Sequence, residues 1–225
     1  MYNRDYLSNQ STQYTQESSQ AQLMSFLKAT YQLFAGSLLA ATAGAYIGLG
    51  IVSILMGPVK WVLFAVELAL IFFVIPRVKH TPGVNLAVLF AFTFITGLTI
   101  APLLTAIFAM PSGAAIVGQA FLMTSVAFGG ISMFAMTTKR DFSSMGKFLF
   151  IALIIMIVAG ISNIFIQSSM MQLAIASGGA LLFSAFILYD TQQIIKGNYD
   201  SPIEAALSLY LDFFNLFISL LQILG

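Results

Sequence analysis

Seven long apolar stretches occupy most of this 225-residue sequence. A helix of about 20 apolar residues is enough to span the roughly 30 Å hydrocarbon core of a bilayer. The stretches cover residues of about 27–55, 59–76, 84–109, 114–138, 148–167, 171–195 and 202–224. We therefore expect an all-α membrane protein, a seven-transmembrane-helix bundle whose connections are too short to hold a soluble domain.

The composition supports lipid as the solvent for these stretches. Hydrophobic residues make up 59% of the chain and charged residues only 8%, with a mean hydropathy of +0.94. A soluble domain of this length could not bury so much apolar surface. The net charge of +1 argues against nucleic acid as a partner. Because the chain has no cysteine, disulfides, thiolate metal sites and cysteine nucleophiles are excluded.

The positive charges predict the orientation of the bundle. Eight of the nine Lys and Arg residues fall on one side of the predicted spans, and only Lys60 falls on the other. Short loops rich in Lys and Arg stay in the cytoplasm, so we expect a cytoplasmic N-terminus and a C-terminus outside. If the last stretch were re-entrant, six spans would instead keep both termini inside.

Residues 1–25 differ from the rest of the chain because they are rich in Gln, Ser and Tyr. Such a polar composition predicts a disordered cytoplasmic tail ahead of a transmembrane domain of residues 26–225. The tail is either a solvated overhang or a handle for a cytoplasmic partner.

Three acidic residues lie deep within the predicted spans: Glu67 in the second, Asp190 in the sixth and Asp212 in the seventh. An acid near the centre of a span costs around 3 kcal/mol, so each is a candidate functional residue. Asp212 lies ten residues into its span, about 15 Å deep and close to the bilayer midplane. The last two spans are consecutive and antiparallel, so Asp190 and Asp212 can meet.

The last span carries a polar face, formed by residues three or four apart: Ser208, Asp212, Asn215, Ser219 and Gln222. This face must avoid lipid and point into the bundle or a wet cavity. It is either a seam that only joins helices or a functional surface. Two adjacent carboxyls would share a proton, and Ca²⁺ prefers carboxylate ligands. The pair could sense pH, bind a cation, or act as a neutral latch.

The other charged residues near the spans have local explanations. Ser201 and Glu204 match a capping box at the start of the last helix. Asp141 and Asp200 are expected to be solvated in cytoplasmic loops. Arg77 is either an interfacial anchor or a cation that can swing toward an acid at the cytoplasmic mouth.

Glycines are expected to let helices approach closely in lipid. The residues to which we assign this role are Gly44 and Gly48 in the first span, Gly129 and Gly130 in the fourth, and Gly178 and Gly179 in the sixth.

No enzyme class fits the residues. A retinal pump needs a Schiff-base Lys in its last span, and residues 202–224 contain none. An intramembrane serine protease needs a Ser nucleophile with an intramembrane His, and the only histidine, His80, lies in a loop. No haem or zinc ligand set is present either, so we expect no enzymatic activity.

Three segments carry a family resemblance: ILYDTQ at 187–192, LYLDFFNLF at 209–217 and GLTIAP at 97–102. With these segments the sequence resembles the Bax inhibitor family of membrane proteins, also called the transmembrane Bax-inhibitor-motif proteins. The resemblance covers the chain from about residue 25 and implies a central helix surrounded by the others.

The resemblance also implies a function, a pH-sensitive cation (calcium) leak channel governed by an aspartate pair. Asp190 and Asp212 occupy the motif positions of that pair, and Arg77 is the candidate latch. We assign supporting roles to Glu67 and to the Ser208 and Asn215 side chains. No cofactor is implied, and Ca²⁺ would be a ligand or the permeant ion.

An alternative function follows from bacterial members that the chain resembles. It is a regulatory protein, not a channel, that binds a membrane-bound ATP-dependent protease or the protein translocon through residues 1–25. In both cases we expect an integral protein of the bacterial inner (plasma) membrane.

The predicted orientation can be tested with a reporter that is active only outside the cytoplasm. Fused after Gly225, it should be active, because the charge bias of the loops places that end outside. If instead a second reporter, active only in the cytoplasm, is active when fused at this position, the seven-span topology is wrong.

Overall fold

The computed structural model describes residues 2–225, with side chains from residue 20 onward. Within this part of the chain all regular structure is helical. The α-helices are α1 Tyr2–Gly50, α2 Val52–Leu55, α3 Val59–Ala69, α4 Ile75–Val78, α5 Val84–Phe108, α6 Gly113–Thr137, α7 Gly146–Ile166, α8 Ser169–Ile195 and α9 Pro202–Leu224.

Seven helical segments are long and apolar enough to cross a membrane, which confirms the predicted seven-helix architecture. Six of them match the predicted spans within a few residues. The first runs over Gln20–Gly50 and ends earlier than expected, with the short α2 after it. Residues 20–25, assigned to the tail by composition, are helical. For residues 1–19 the side chains lie outside the described residues, and the disordered tail stays a prediction.

Helix α9 is the central helix of the bundle. In its most apolar stretch 44% of the residues are buried, against 6% in the second span. Its Phe213 packs edge-on against Phe34 of α1 and Phe128 of α6, at ring-centre distances of 5.7 and 5.6 Å. The surrounding spans thus bury one face of α9 in an aromatic core, as the family resemblance implied.

Close contact between α1 and α5 depends on glycine. A Cβ atom added to Gly44 would lie 2.0 Å from the carbonyl oxygen of Phe94, and one added to Gly97 would lie 2.0 Å from that of Ala41. Backbone atoms cannot give way as a flexible side chain can. The packing role predicted for the first-span glycines is therefore confirmed at Gly44.

Two of the other predicted glycine contacts are wrong. A Cβ atom on Gly129 or Gly130 would meet nothing within 4 Å, because this side of α6 faces away from the bundle. In α8, by contrast, Gly179 lies against Ser219 of α9, whose Oγ would be 2.6 Å from an added Cβ. Sequence alone does not show which side of a glycine-containing helix meets a neighbour.

The second span is peripheral and irregular. None of the α3 residues is buried, and a π-helical turn over Leu70–Val74 separates α3 from α4. Pro76 follows within α4. π-Helical turns inside α-helices are rare and often occur near functional sites. This span is therefore the segment that packs least tightly on the bundle.

The α1–α5 contact predicts different outcomes for two glycine substitutions. Gly97→Val should destabilise the protein by at least the roughly 1–3 kcal/mol typical of overpacking, because its Cβ would overlap backbone. Gly129→Ala should be neutral or stabilising by up to about 1 kcal/mol, since alanine favours a helix. Thermal unfolding in a mild detergent measures both, and equal melting temperatures for the two variants would contradict the packing described.

Candidate functional site

The candidate site lies where α8 and α9 form an antiparallel hairpin. Helix α8 ends at Ile195, and Gly197 follows with a φ of +72° and donates its N–H to the Ile194 carbonyl at 3.0 Å. Glycine suits this left-handed position. Helix α9 then begins at Pro202, after Ser201, whose Oγ accepts from the Ile203 N–H at 3.2 Å. The hairpin sets the relative register of Asp190 and Asp212.

The structure brings the Asp190 and Asp212 carboxyl groups together, within hydrogen-bonding reach of each other. Asp190 is 7% exposed and Asp212 is 4% exposed. Among the described atoms, the Oδ2 of Asp212 has no hydrogen-bond partner. Burial of a carboxyl oxygen without a hydrogen-bond partner costs free energy. This oxygen is therefore available to a proton, a water molecule or a cation.

Two hydroxyl groups lie beside the pair on the side of the α8–α9 loop. Tyr199 donates to the Ser208 Oγ at 2.9 Å, and both hydroxyls are within reach of the Asp190 carboxyl. Burial, and then the negative charge of Asp190, raise the pKa of the Tyr199 phenol above its ordinary value. Tyr199 was not identified from the sequence, because a single tyrosine in a polar loop carries no recognisable signal.

A cavity of about 700 Å³ extends from the pair along α9. Its walls come from the second span and from α7, α8 and α9. The polar residues that line it from the α9 side are those of the predicted polar face: Ser208, Asp212, Asn215, Ser219 and Gln222. The face thus points into a cavity, one of the two environments that the sequence allowed.

The opposite end of the cavity is bordered by amide groups. Gln172 of α8 donates to the Gln222 Oε1 at 2.7 Å and accepts from the Asn163 side chain of α7 at 2.9 Å. These bonds join three helices at the end of the bundle that is predicted to face outward. Two neutral glutamines therefore stand at the outer end of the cavity, and two carboxyls stand at its inner end.

Glu67 does not join the aspartate pair. Its Oε1 accepts from the Thr99 hydroxyl of α5 at 2.9 Å, and Thr96 in the next turn bonds the Tyr210 hydroxyl of α9. This polar chain approaches α9 from the α5 side. Glu67 could support α9 only through α5, not by direct contact with Asp190 or Asp212.

Arg77 bonds to its own helix in this structure. Its guanidinium donates to the Phe73 carbonyl and lies 6.0 Å from the centre of the Phe73 ring. No hydrogen bond or ion pair joins it to the aspartates among the described side chains. The latch role of Arg77 stays a prediction that would require the side chain to move.

Lys79, two residues after Arg77, is the cation that contacts the α8–α9 hairpin. Its Nζ lies 3.1 Å from the Asp200 Oδ2 and 2.9 Å from the Glu204 Oε1. Hydrogen bonds to these two acids, first Glu204 and then Asp200, raise the pKa of Lys79. Glu204 was expected only to cap α9 and Asp200 to be solvated. Both predictions are incomplete, since the partner is more than 120 residues away in sequence.

A third ion pair, made by Lys196, anchors the end of α8. Lys196 contacts the Asp141 carboxylate and the Ser143 hydroxyl, the latter at 2.8 Å. The Lys196 hydrogen bond lowers the pKa of Asp141 to about 2. Asp141 was expected to be solvated in its loop; its side chain is 68% exposed, but it also pairs with Lys196, so that prediction too is incomplete. Together the ion pairs of Lys79 and of Lys196 fix both ends of the hairpin loop to neighbouring connections.

Comparisons with known proteins agree with this architecture. A family model described as "Inhibitor of apoptosis-promoting Bax1" matches residues 23–225. An uncharacterised protein of Campylobacter jejuni is 52% identical over 227 residues, which cover all of this chain and 96% of the relative. An uncharacterised membrane protein of Vibrio cholerae is 41% identical over 88% of each chain. Protein lifeguard 4 of Mus musculus is 38% identical over 74% of this chain and 68% of its own.

Proposed function

The chain belongs to the Bax inhibitor family of integral membrane proteins, and from this premise we propose that it is a pH-sensitive cation leak channel. Calcium is the proposed permeant ion, the bacterial inner membrane is the proposed location, and the aspartate pair is the proposed gate. The observation that carries the proposal is the buried pair at the end of a cavity lined by the polar face of α9.

Proton sharing between Asp190 and Asp212 would supply the pH sensitivity. Two carboxyl groups within hydrogen-bonding reach of each other and largely out of water cannot both be ionised without a large cost in free energy. A singly protonated pair forms an O–H···O⁻ bond that joins α8 to α9. Loss of that proton removes the bond and adds a second negative charge, so protonation changes both helix contact and cation attraction. The two groups then titrate as one unit.

The ligands around the pair suit a cation that passes, not one that is held. Ca²⁺ takes six to eight oxygen ligands in a stable site. Here two carboxyls and the Ser208 hydroxyl lie together, with the Asn215 amide one turn further along α9. Among residues 20–225 no group of three acidic or histidine side chains forms. Weak, incomplete coordination favours release as well as capture, which conduction requires.

The proposal predicts that Asp190→Asn and Asp212→Asn each abolish the pH dependence of calcium flux. Either change removes the shared proton while it preserves side-chain size. The double variant should be little worse than either single variant, because residues that act as a unit are not additive. Flux into liposomes that contain only this protein, followed across about pH 5 to 8, measures the effect.

Asp200→Asn is the matched control, since Asp200 is an exposed carboxyl of the neighbouring loop. Because it leaves the shared proton in place, the flux should keep its wild-type pH profile, whatever the loss of the Lys79 ion pair does to the resting flux. If both pair variants also keep that profile, the pair is structural and the leak proposal fails. A regulatory role through residues 1–25, toward a membrane-bound protease or the translocon, would then be the better account.

A further inference from the structure

The cavity ends abruptly on the side of the α8–α9 loop. Its innermost polar lining residues are Asp190 and Ser208, and within the described chain no residue of the 196–201 loop lines it. Tyr199 of that loop stands directly behind Ser208, with its hydroxyl 2.9 Å from the Ser208 Oγ. A cation that moved from the cavity toward the cytoplasm would therefore meet this side chain next.

The Tyr199 ring is held from several directions. It packs against the aromatic and aliphatic core around α9. On one side of it Asn198 donates to the Gln193 Oε1 at 2.6 Å, and on the other Asp200 pairs with Lys79. Because the residues on both sides of Tyr199 make these contacts, Tyr199 is held in a fixed position. A fully solvated loop would not hold it so.

The Tyr199 hydroxyl is suited to hold a closed state. Because burial and the nearby carboxylate raise its pKa, the phenol stays neutral and keeps its proton to donate. With Tyr199 as donor, the Ser208 hydroxyl can in turn donate to the Asp190 carboxyl, which lies within reach. A hydrogen bond from Tyr199 to Ser208, and the nearness of the Ser208 hydroxyl to Asp190, thus link the loop to the aspartate pair.

We propose that the Tyr199 ring is a barrier that closes the cytoplasmic end of the cavity, and that the hydrogen bond from Tyr199 to Ser208 holds the ring in this closed position. This inference rests on the proposed leak function for its physiological meaning. The barrier can nevertheless be tested without ion flux.

The flux experiment separates the ring from its hydroxyl. Tyr199→Phe keeps the barrier and loses one hydrogen bond, which should raise resting calcium flux about 2- to 12-fold. Ser208→Ala removes that bond and also the contact with Asp190, so it should raise the flux at least as much, and the double variant should add nothing to Ser208→Ala. Tyr199→Ala removes the barrier as well and should leak more than Tyr199→Phe. Tyr189→Phe is the matched control, because the Tyr189 hydroxyl lies against Gly146 of α7.

A labelling experiment tests the barrier independently of flux. The chain has no cysteine, so Asn215→Cys places a single thiol in the cavity beyond the pair. A membrane-impermeant thiol reagent applied from the cytoplasmic side of vesicles should modify it slowly in the parent. Modification should be faster with Tyr199→Ala and close to the parent rate with Tyr199→Phe.

The two experiments fail in different ways. The parent protein and the Tyr199→Ala variant could be labelled at the same rate from the cytoplasmic side while the variant still elutes as a folded species. That result would overturn the barrier, whatever the flux shows. Faster labelling in a protein without calcium flux would support the barrier and contradict the leak function. A resting flux that rises equally in Tyr199→Phe and Tyr189→Phe would overturn the specific role of the Ser208 bond.

Discussion

The arrangement of the bundle depends on the burial of two carboxyl groups at a depth where lipid cannot solvate them. Asp190 and Asp212 are each less than 10% exposed, and an unpaired charge at such a site is strongly unfavourable. A proton shared between the two carboxyls would leave one charge instead of two, and the hydroxyls of Ser208 and Tyr199 lie within reach of Asp190. The contact between the pair and these hydroxyls joins α8 to α9 close to the hairpin loop.

Helix α9 meets two different demands on its two sides. Tyr210 and Phe213 face the aromatic core and the polar side chains of α5, and this apolar packing keeps the helix central. Asp212 and Asn215, on the other side, face the cavity. A central helix with one polar side needs a neighbour that does not pack fully against it. The second span, with its π-helical turn and Pro76, supplies that neighbour.

Periodicity and charge were enough to predict the spans and the polar face of α9, because lipid imposes a simple rule on every residue of a span. The meeting of Asp190 and Asp212 was also predictable, since consecutive antiparallel helices leave few alternatives. The ion pairs of Lys79 with Asp200 and Glu204 were not predictable, because they join residues more than 120 positions apart. Neither was Tyr199, whose importance comes only from the position of its loop.

The central claim, that Asp190 and Asp212 share one proton, can be observed directly by infrared spectroscopy of the membrane-embedded protein. A protonated carboxyl in an apolar site has its own C=O stretching band, separate from those of carboxylates and amides. The account predicts one such band that titrates with pH and that changes both its frequency and its titration in Asp190→Asn and in Asp212→Asn, since either change leaves a lone carboxyl that titrates independently. A band that survives in one of the two variants, with an unchanged titration, would contradict it, because that proton would then belong to one residue alone.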